Sequence, residues 1–208
     1  MPAIADRAEQ SATPEALAKE ALENEESLSQ VMQGATSKED ATRSKSFKAL
    51  LLLSEEHPEL LYPKWDCFVD LLRSDNNYHK YQAIYILANL TRVDTQNRFE
   101  SLFDTYYDLL DGKSVMTAAH LAGNSGKIAR AKPQLESRIT DKLLSIDETG
   151  HKPQRKDLIK GYAIEAFSEY FEVSENKPKI VEFVEKQLES ESPRTAKLAK
   201  EFLKRWQS

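Results

Sequence analysis

The residues able to do chemistry are few, and they do not assemble into a catalytic set. The four histidines are His57, His79, His120 and His151. No two stand three or four residues apart, so no pair faces the same way on a helix to ligate a metal. His57 precedes a proline and His151 sits in a Thr149-Gly150-His151-Lys152-Pro153 stretch that reads as a loop. Cys67 is the single cysteine, which excludes an internal disulfide and any multi-thiolate metal site. It lies in an apolar stretch and is expected to be a buried small hydrophobe, not a nucleophile with a base beside it. The run Gly123-Asn-Ser-Gly126-Lys127 has the residue types of a phosphate loop. A phosphate loop, however, needs four residues between its glycines, Ser or Thr after the lysine, and a strand before it. Here Ile128 follows the lysine and the surroundings are helical. Gly123 reads as a small packing residue, and Asn124 to Gly126 as an early helix end. Neither catalytic residues, nor a cofactor, nor a metal is expected.

A better signal is a stripe of polar and aromatic residues at helical spacing. Gln82, Tyr85 and Asn89 fall at i, i+3 and i+7 on one helix. Matching positions elsewhere are Lys45, Lys48 and Leu52; Thr117, His120 and Asn124; Tyr162, Glu165 and Glu169; and Glu201 and Arg205. The stripe runs from basic, through polar and aromatic, to acidic. A surface that follows a phosphate backbone is basic throughout, whereas a mixed surface suits a peptide or a helical protein segment. An alternative nucleic-acid patch is Lys127, Arg130 and Lys132 with Lys152, Arg155, Lys156 and Lys160, which cluster in sequence. A further base recurs as Arg43, Lys80, Lys160 and Lys197, at a spacing of 37 from the first to the second and from the third to the fourth. With Asp40, Asp75 and Asp157 these read as an ion ladder between repeats. Exposed pairs of this kind contribute only about 0–1 kcal/mol each, so the ladder would set register more than stability.

The elements that must position these residues repeat. A pair of packing positions four residues apart, small-then-large in Ala83/Leu87, Ala163/Phe167 and Ala199/Leu203, recurs with other sizes as Phe47/Leu51 and Ala119/Gly123, with starts 36, 36, 44 and 36 residues apart. A period in that range marks an array of helical hairpins. The first helices are expected near 26–33, 59–72, 96–110, 132–145 and 177–189. The second helices are expected near 38–55, 78–91, 114–128, 156–171 and 194–206. The long interval is an insertion, Ile146–Arg155. Residues 1–24 form a poorly ordered or loosely docked segment with a short helix from Ala16 to about Leu22, capped by Thr13 and started by Pro14. Residues 25–208 form the repeat domain. Apolar residues at 40%, charged residues at 30% and only six glycines in 208 residues describe a folded, helix-rich chain. No apolar run reaches the roughly 18–20 residues of a membrane span, and the N-terminus lacks a secretory pattern, so the expected location is cytoplasmic. A net charge of −5 gives no general pull toward nucleic acid or an anionic membrane.

On these residues the chain resembles the HEAT-repeat family. Asp75 in the turn, then Lys80, Ala83 and Leu87 in the second helix, follow that family's pattern, and the leading base recurs at Arg43, Lys160 and Lys197. Thr117 interrupts the series. The resemblance spans roughly residues 25–206. It implies an all-α fold, an α-solenoid of about five stacked antiparallel hairpins, whose second helices line a concave face. It also implies a non-enzymatic scaffold that takes a protein or peptide segment in that groove. Tetratricopeptide repeats, with a period of about 34 residues, would need a Trp-x-x-Leu-Gly-x-x-Tyr opening that is absent. HEAT-like DNA glycosylases use Trp, Asp and Arg in a basic groove. Trp65-Asp66 is the one candidate here, and Trp65 sits at core spacing, so a glycosylase- or lyase-like enzyme is a lesser alternative.

Overall fold

Helix one begins as its residues dictate. The Thr13 hydroxyl accepts the Ala16 N–H at 3.3 Å and Pro14 occupies the first turn, opening α1 (Pro14–Glu23). Asn24, extended, ends α1 and caps α2 (Glu25–Gly34) through a 2.8 Å bond from the Glu26 N–H. The computed structural model describes residues 13–206, all of them helix, turn or loop, with no strand among them. None of its helices is long and apolar enough to cross a membrane.

The chain forms two compact units, Met1–Asp70 and Leu71–Ser208. In the first, α1 and α2 pack on each other and on α3 (Asp40–Glu56). Ala18, Ala21, Leu28 and Val31 are buried, as are Phe47, Ala49, Leu50 and Leu53 of α3. Ser37 does not cap α3. Its hydroxyl accepts the Glu39 N–H, and Glu39 takes the cap position without a side-chain bond. The helix expected over Glu59–Leu72 is broken into α4 (Pro58–Leu61), a 3-10 turn (Tyr62–Lys64) and α5 (Trp65–Arg73). The break falls at Pro63, which has no N–H to give and whose ring crowds the carbonyl one turn back. Trp65 is buried at 2% exposure, whereas Cys67 is exposed. The expectation of a buried thiol is therefore corrected: Cys67 falls on the outer face of α5, whose Trp65, Phe68 and Leu72 point inward.

The second unit alternates long and short helices: α6 (Asn77–Leu90), α7 (Arg98–Tyr107), α8 (Val115–Ala131), α9 (Glu136–Leu144), α10 (Pro153–Tyr170), α11 (Lys177–Lys186) and α12 (Pro193–Trp206). α8 packs between α6 and α10, and α10 between α8 and α12. α6 is apolar almost all round, as its neighbours require, with Ala83, Ile84, Ile86, Leu87, Ala88 and Leu90 all at 0% exposure. The same separation recurs in the bonds that tie one helix pair to the next. Lys132 Nζ donates to the Asp94 carbonyl, the Ser174 hydroxyl to Glu136 Oε1, and the Thr195 hydroxyl to the Asp157 carbonyl, each across 38 residues.

Three expectations change here. α8 does not stop at Asn124–Gly126 but continues to Ala131. The insertion Ile146–Arg155 is largely ordered: residues 145–148 form a 3-10 turn, and α10 already starts at Pro153. What remains of the loop docks on the preceding pair, where the Gly150 N–H donates to Asp111 Oδ1 at 2.6 Å and His151 Nε2 lies 3.0 Å from the Leu110 carbonyl oxygen. Three members of the expected ion ladder have acidic partners near to them in the chain. Arg43 pairs with Asp40 in its own helix, Lys160 with Asp147 at 2.6 Å and Asp157 at 3.9 Å in its own pair, and Lys197 with Glu201 one turn on. A buried ion pair that does link one helix pair to the next is Lys132–Asp94 at 3.1 Å, whose side chains are 6% and 0% exposed.

Candidate functional site

Two glycines bring α8 and α10 together. A Cβ on Gly123 would lie 3.0 Å from Tyr162 Cδ1, and one on Gly126 would lie 2.8 Å from the Ala166 carbonyl oxygen. Both partners advance with the chain, so α8 and α10 run in the same direction. The Tyr162 ring thus rests over Gly123. One turn earlier on α8, the His120 ring meets Tyr162 edge-on at 5.5 Å between centroids. On its other side His120 meets Tyr81 at 4.8 Å and Tyr85 at 5.6 Å, both from α6. Tyr78, Tyr81 and Tyr85 continue the series along α6 at 6.2 and 4.9 Å. Beyond Tyr162, the Arg194 guanidinium stacks over the ring at 4.4 Å, and its Nη2 donates to both oxygens of Glu165 at 2.7 Å. The result is a ridge of rings across three helices, closed at one end by an arginine from α12. Each ring of the ridge is partly exposed.

The Tyr85 oxygen lies 2.8 Å from His120 Nδ1. Burial, with Tyr81 adding to it, pushes the Tyr85 phenol far above its ordinary range, and burial pushes the His120 imidazolium down. At neutral pH the phenol keeps its proton, and its oxygen shares a hydrogen bond with Nδ1. A phenol so hard to ionise is a poor nucleophile and a poor acid. The pair serves to orient two rings.

No family model matches this chain, and no curated protein matches it.

Of the residues singled out by spacing, the structure brings Tyr85, His120, Tyr162 and Glu165 into one ridge. Gln82, Asn89, Thr117 and Asn124, read as surface positions, are buried instead. The error is one residue of helical phase, about 100°. The outer line of α8 runs Met116, His120, Gly123 and Lys127, and that of α6 runs Tyr78, Tyr81 and Tyr85. The buried amides hold the ridge from behind: Asn124 Nδ2 donates to the His120 carbonyl, and Asn89 Oδ1 accepts from Lys127 Nζ at 2.9 Å. Glu169 lies against Gly126, where desolvation raises its carboxyl pKa while Lys127 and Arg130 pull the other way. Lys45 and Lys48 lie on α3 in the first unit, Lys45 partly exposed and Lys48 exposed. Spacing alone could have found Tyr78 and Tyr81, which precede Tyr85 at helical intervals. Arg194 carries no such signal, because it meets Tyr162 only across a helix interface.

The alternative basic set does not form one patch. Lys132 and Lys160 are buried in the ion pairs described above. Lys156 Nζ donates to the Asp147 carbonyl at 2.7 Å. Arg130 ends α8 beside Glu169, whereas Lys152 and Arg155 start α10. Because the two helices run in parallel, most of the length of α10 separates these ends, roughly 20 Å at 1.5 Å per residue. Among the described residues, no group of three or more His, Cys, Asp or Glu gathers as a metal site.

Proposed function

We propose that the chain is a HEAT-like array of about five antiparallel helical hairpins in a solenoid, non-enzymatic and cytoplasmic, whose second unit holds a segment of another protein along the aromatic ridge. The observation that carries this reading is the joined, partly exposed series Tyr78, Tyr81, Tyr85, His120 and Tyr162. Tyrosine supplies wide, rigid contact area with a polar tip, at small entropy cost, and tyrosine and arginine dominate binding hot spots. The recurring interval and the bonds across 38 residues support the array. Glu165 and Glu169 share the face with Lys127 and Arg194, a mixture that suits a polypeptide better than a phosphate backbone. Trp65, the residue behind the glycosylase alternative, is buried in the first unit.

The test is selection of a displayed random-peptide library on the full chain. Sequences enriched by the wild type should be released by Tyr162→Ala and by Tyr81→Ala, each checked for an intact melting transition. A library that yields no enriched sequence, or peptides held equally by both variants, would remove this function. Tight binding of a single-stranded oligonucleotide that weakens by about 10³ or more between about 50 and 200 mM salt would assign the face to nucleic acid instead.

A further inference from the structure

The ridge has a repeat of its own. Its flat groups follow one another at similar steps: Tyr81 to His120 at 4.8 Å, His120 to Tyr162 at 5.5 Å, and Tyr162 to the Arg194 guanidinium at 4.4 Å. They come in turn from α6, α8, α10 and α12, which pack side by side in that order. The row therefore runs across the helices. Every second group recurs after two such steps, close to the rise of about 9 Å that a polyproline II helix makes in one turn of three residues.

Two other ways of holding a chain do not match this face. Strand addition needs a sheet edge, and no strand occurs among the described residues. A docked helix needs a continuous apolar groove. Among the described residues of the second unit, the large apolar side chains most open to solvent are Met116, at 51% exposure on the outer line of α8, and Val173, in the turn beyond α10. The ridge offers rings with polar tips, and an apolar helix face would bury those tips unmatched. The charges beside the rings are balanced within the chain: Arg194 holds Glu165, and Glu169 lies near Lys127 and Arg130. That balance suits an uncharged partner.

We propose that the segment held on the ridge is proline-rich and in the polyproline II conformation, with prolines three residues apart packed beside Tyr81 and Tyr162. This names the partner's chemistry and rests on the docking function proposed above. A polyproline II helix has no internal hydrogen bonds, so its carbonyl oxygens stay open as acceptors. Arg194 can serve one of them. Its bonds to Glu165 run through Nη2 and its side chain is 43% exposed, which leaves Nε and Nη1 to donate. A segment already stiff before binding loses little entropy, which favours its capture on a row of few groups.

The test is binding of a fluorescent oligoproline about ten residues long to the full chain, read by anisotropy beside a Gly-Ser peptide of equal length. The wild type should bind the oligoproline and not the control, with less than about a twofold change between about 50 and 200 mM salt, because no ion pair forms. Tyr81→Ala and Tyr162→Ala, with intact melting transitions, should each weaken binding by about tenfold or more. Arg194→Gln changes an exposed side chain and spares the core, so it keeps the test open where a tyrosine variant fails to fold. It should weaken binding about threefold or more, the loss of one hydrogen bond. Peptides enriched from the random library should carry prolines three residues apart. Oligoproline held equally by the wild type and all these variants would overturn the proposal. Enriched peptides without that spacing, released by the tyrosine variants while oligoproline stays unbound, would overturn the proline-rich partner and leave the docking function standing. No enrichment and no oligoproline binding would remove both.

Discussion

At the scale of single residues, the second unit depends on a buried ion pair more than on its many surface pairs. Lys132 Nζ bonds the Asp94 carbonyl at 2.6 Å and Asn97 Oδ1 at 3.0 Å, and it pairs with the Asp94 carboxylate. Asp94 in turn caps α7, accepting the Arg98 and Phe99 N–H groups. Removing one partner leaves an uncompensated charge indoors. Lys132→Ala should therefore cost about 3–5 kcal/mol in urea unfolding, while Lys152→Ala, on an exposed side chain, should stay within about 0.5 kcal/mol. Equal losses in the two variants would show that the pair is not the brace described. His120 acts on stability with a definite sign. Its folded pKa lies below the unfolded value, so the unfolded chain binds more protons in mild acid. The stabilisation from neutral His120 is fully present above about pH 6.5 and is lost as pH falls through that value and the lower folded one. Melting temperature should fall less between about pH 7 and pH 5 in His120→Gln than in the wild type. A steeper fall in the variant would mean that His120 binds its proton more tightly in the folded chain than in the unfolded one.

At the scale of elements, Gly126 sets two principles against each other. Glycine inside a helix costs roughly 1 kcal/mol relative to alanine, so Gly126→Ala ought to stabilise α8. The added methyl, however, would lie 2.8 Å from the Ala166 carbonyl oxygen of α10, a backbone atom that can yield only if the helix moves. Overpacking of that kind costs about 1–3 kcal/mol, so the substitution should destabilise, read as a lower urea midpoint. Gly123→Ala differs in kind, because its neighbour is the Tyr162 side chain at 3.0 Å. That ring can tilt away, so stability should change little while peptide binding on the ridge falls. Retained binding would mean that Tyr162 does not need its seat on α8. In the first unit, Thr13→Ala removes the cap of α1 and should cost about 1 kcal/mol.

At the scale of the whole molecule, protection should follow packing. α6 and α8 bury residues on nearly every side, whereas α12 buries only Thr195, Ala199 and Phe202. Amide hydrogen exchange should be slowest in α6 and α8 and markedly faster in α12, since local opening is cheapest where few apolar contacts are lost. Uniform protection across these helices would indicate a single cooperative block in place of a graded stack.

The all-helical fold was legible in the residues, because helix propensity, caps and a recurring small-large pair act locally and survive in one dimension. Thr13-Pro14 marks a helix start that the structure retains. The ridge was half legible. Tyr85 and His120 fall at corresponding positions of successive second helices, so their side-by-side meeting follows from the period, whereas Tyr162 stands at the position of Gln82 and Thr117. The rest required tertiary structure, for a physical reason. Whether Gln82 or Tyr81 faces outward turns on about 100° of helix rotation, which is set by the neighbours a helix packs against. Whether Gly126 ends a helix or admits a neighbouring one turns on the approach of α10. Whether Lys132 and Lys160 meet solvent or buried carboxylates turns on residues far along the chain. Periodicity thus determined that helices of this kind would stack, and packing alone decided which face of each remained open.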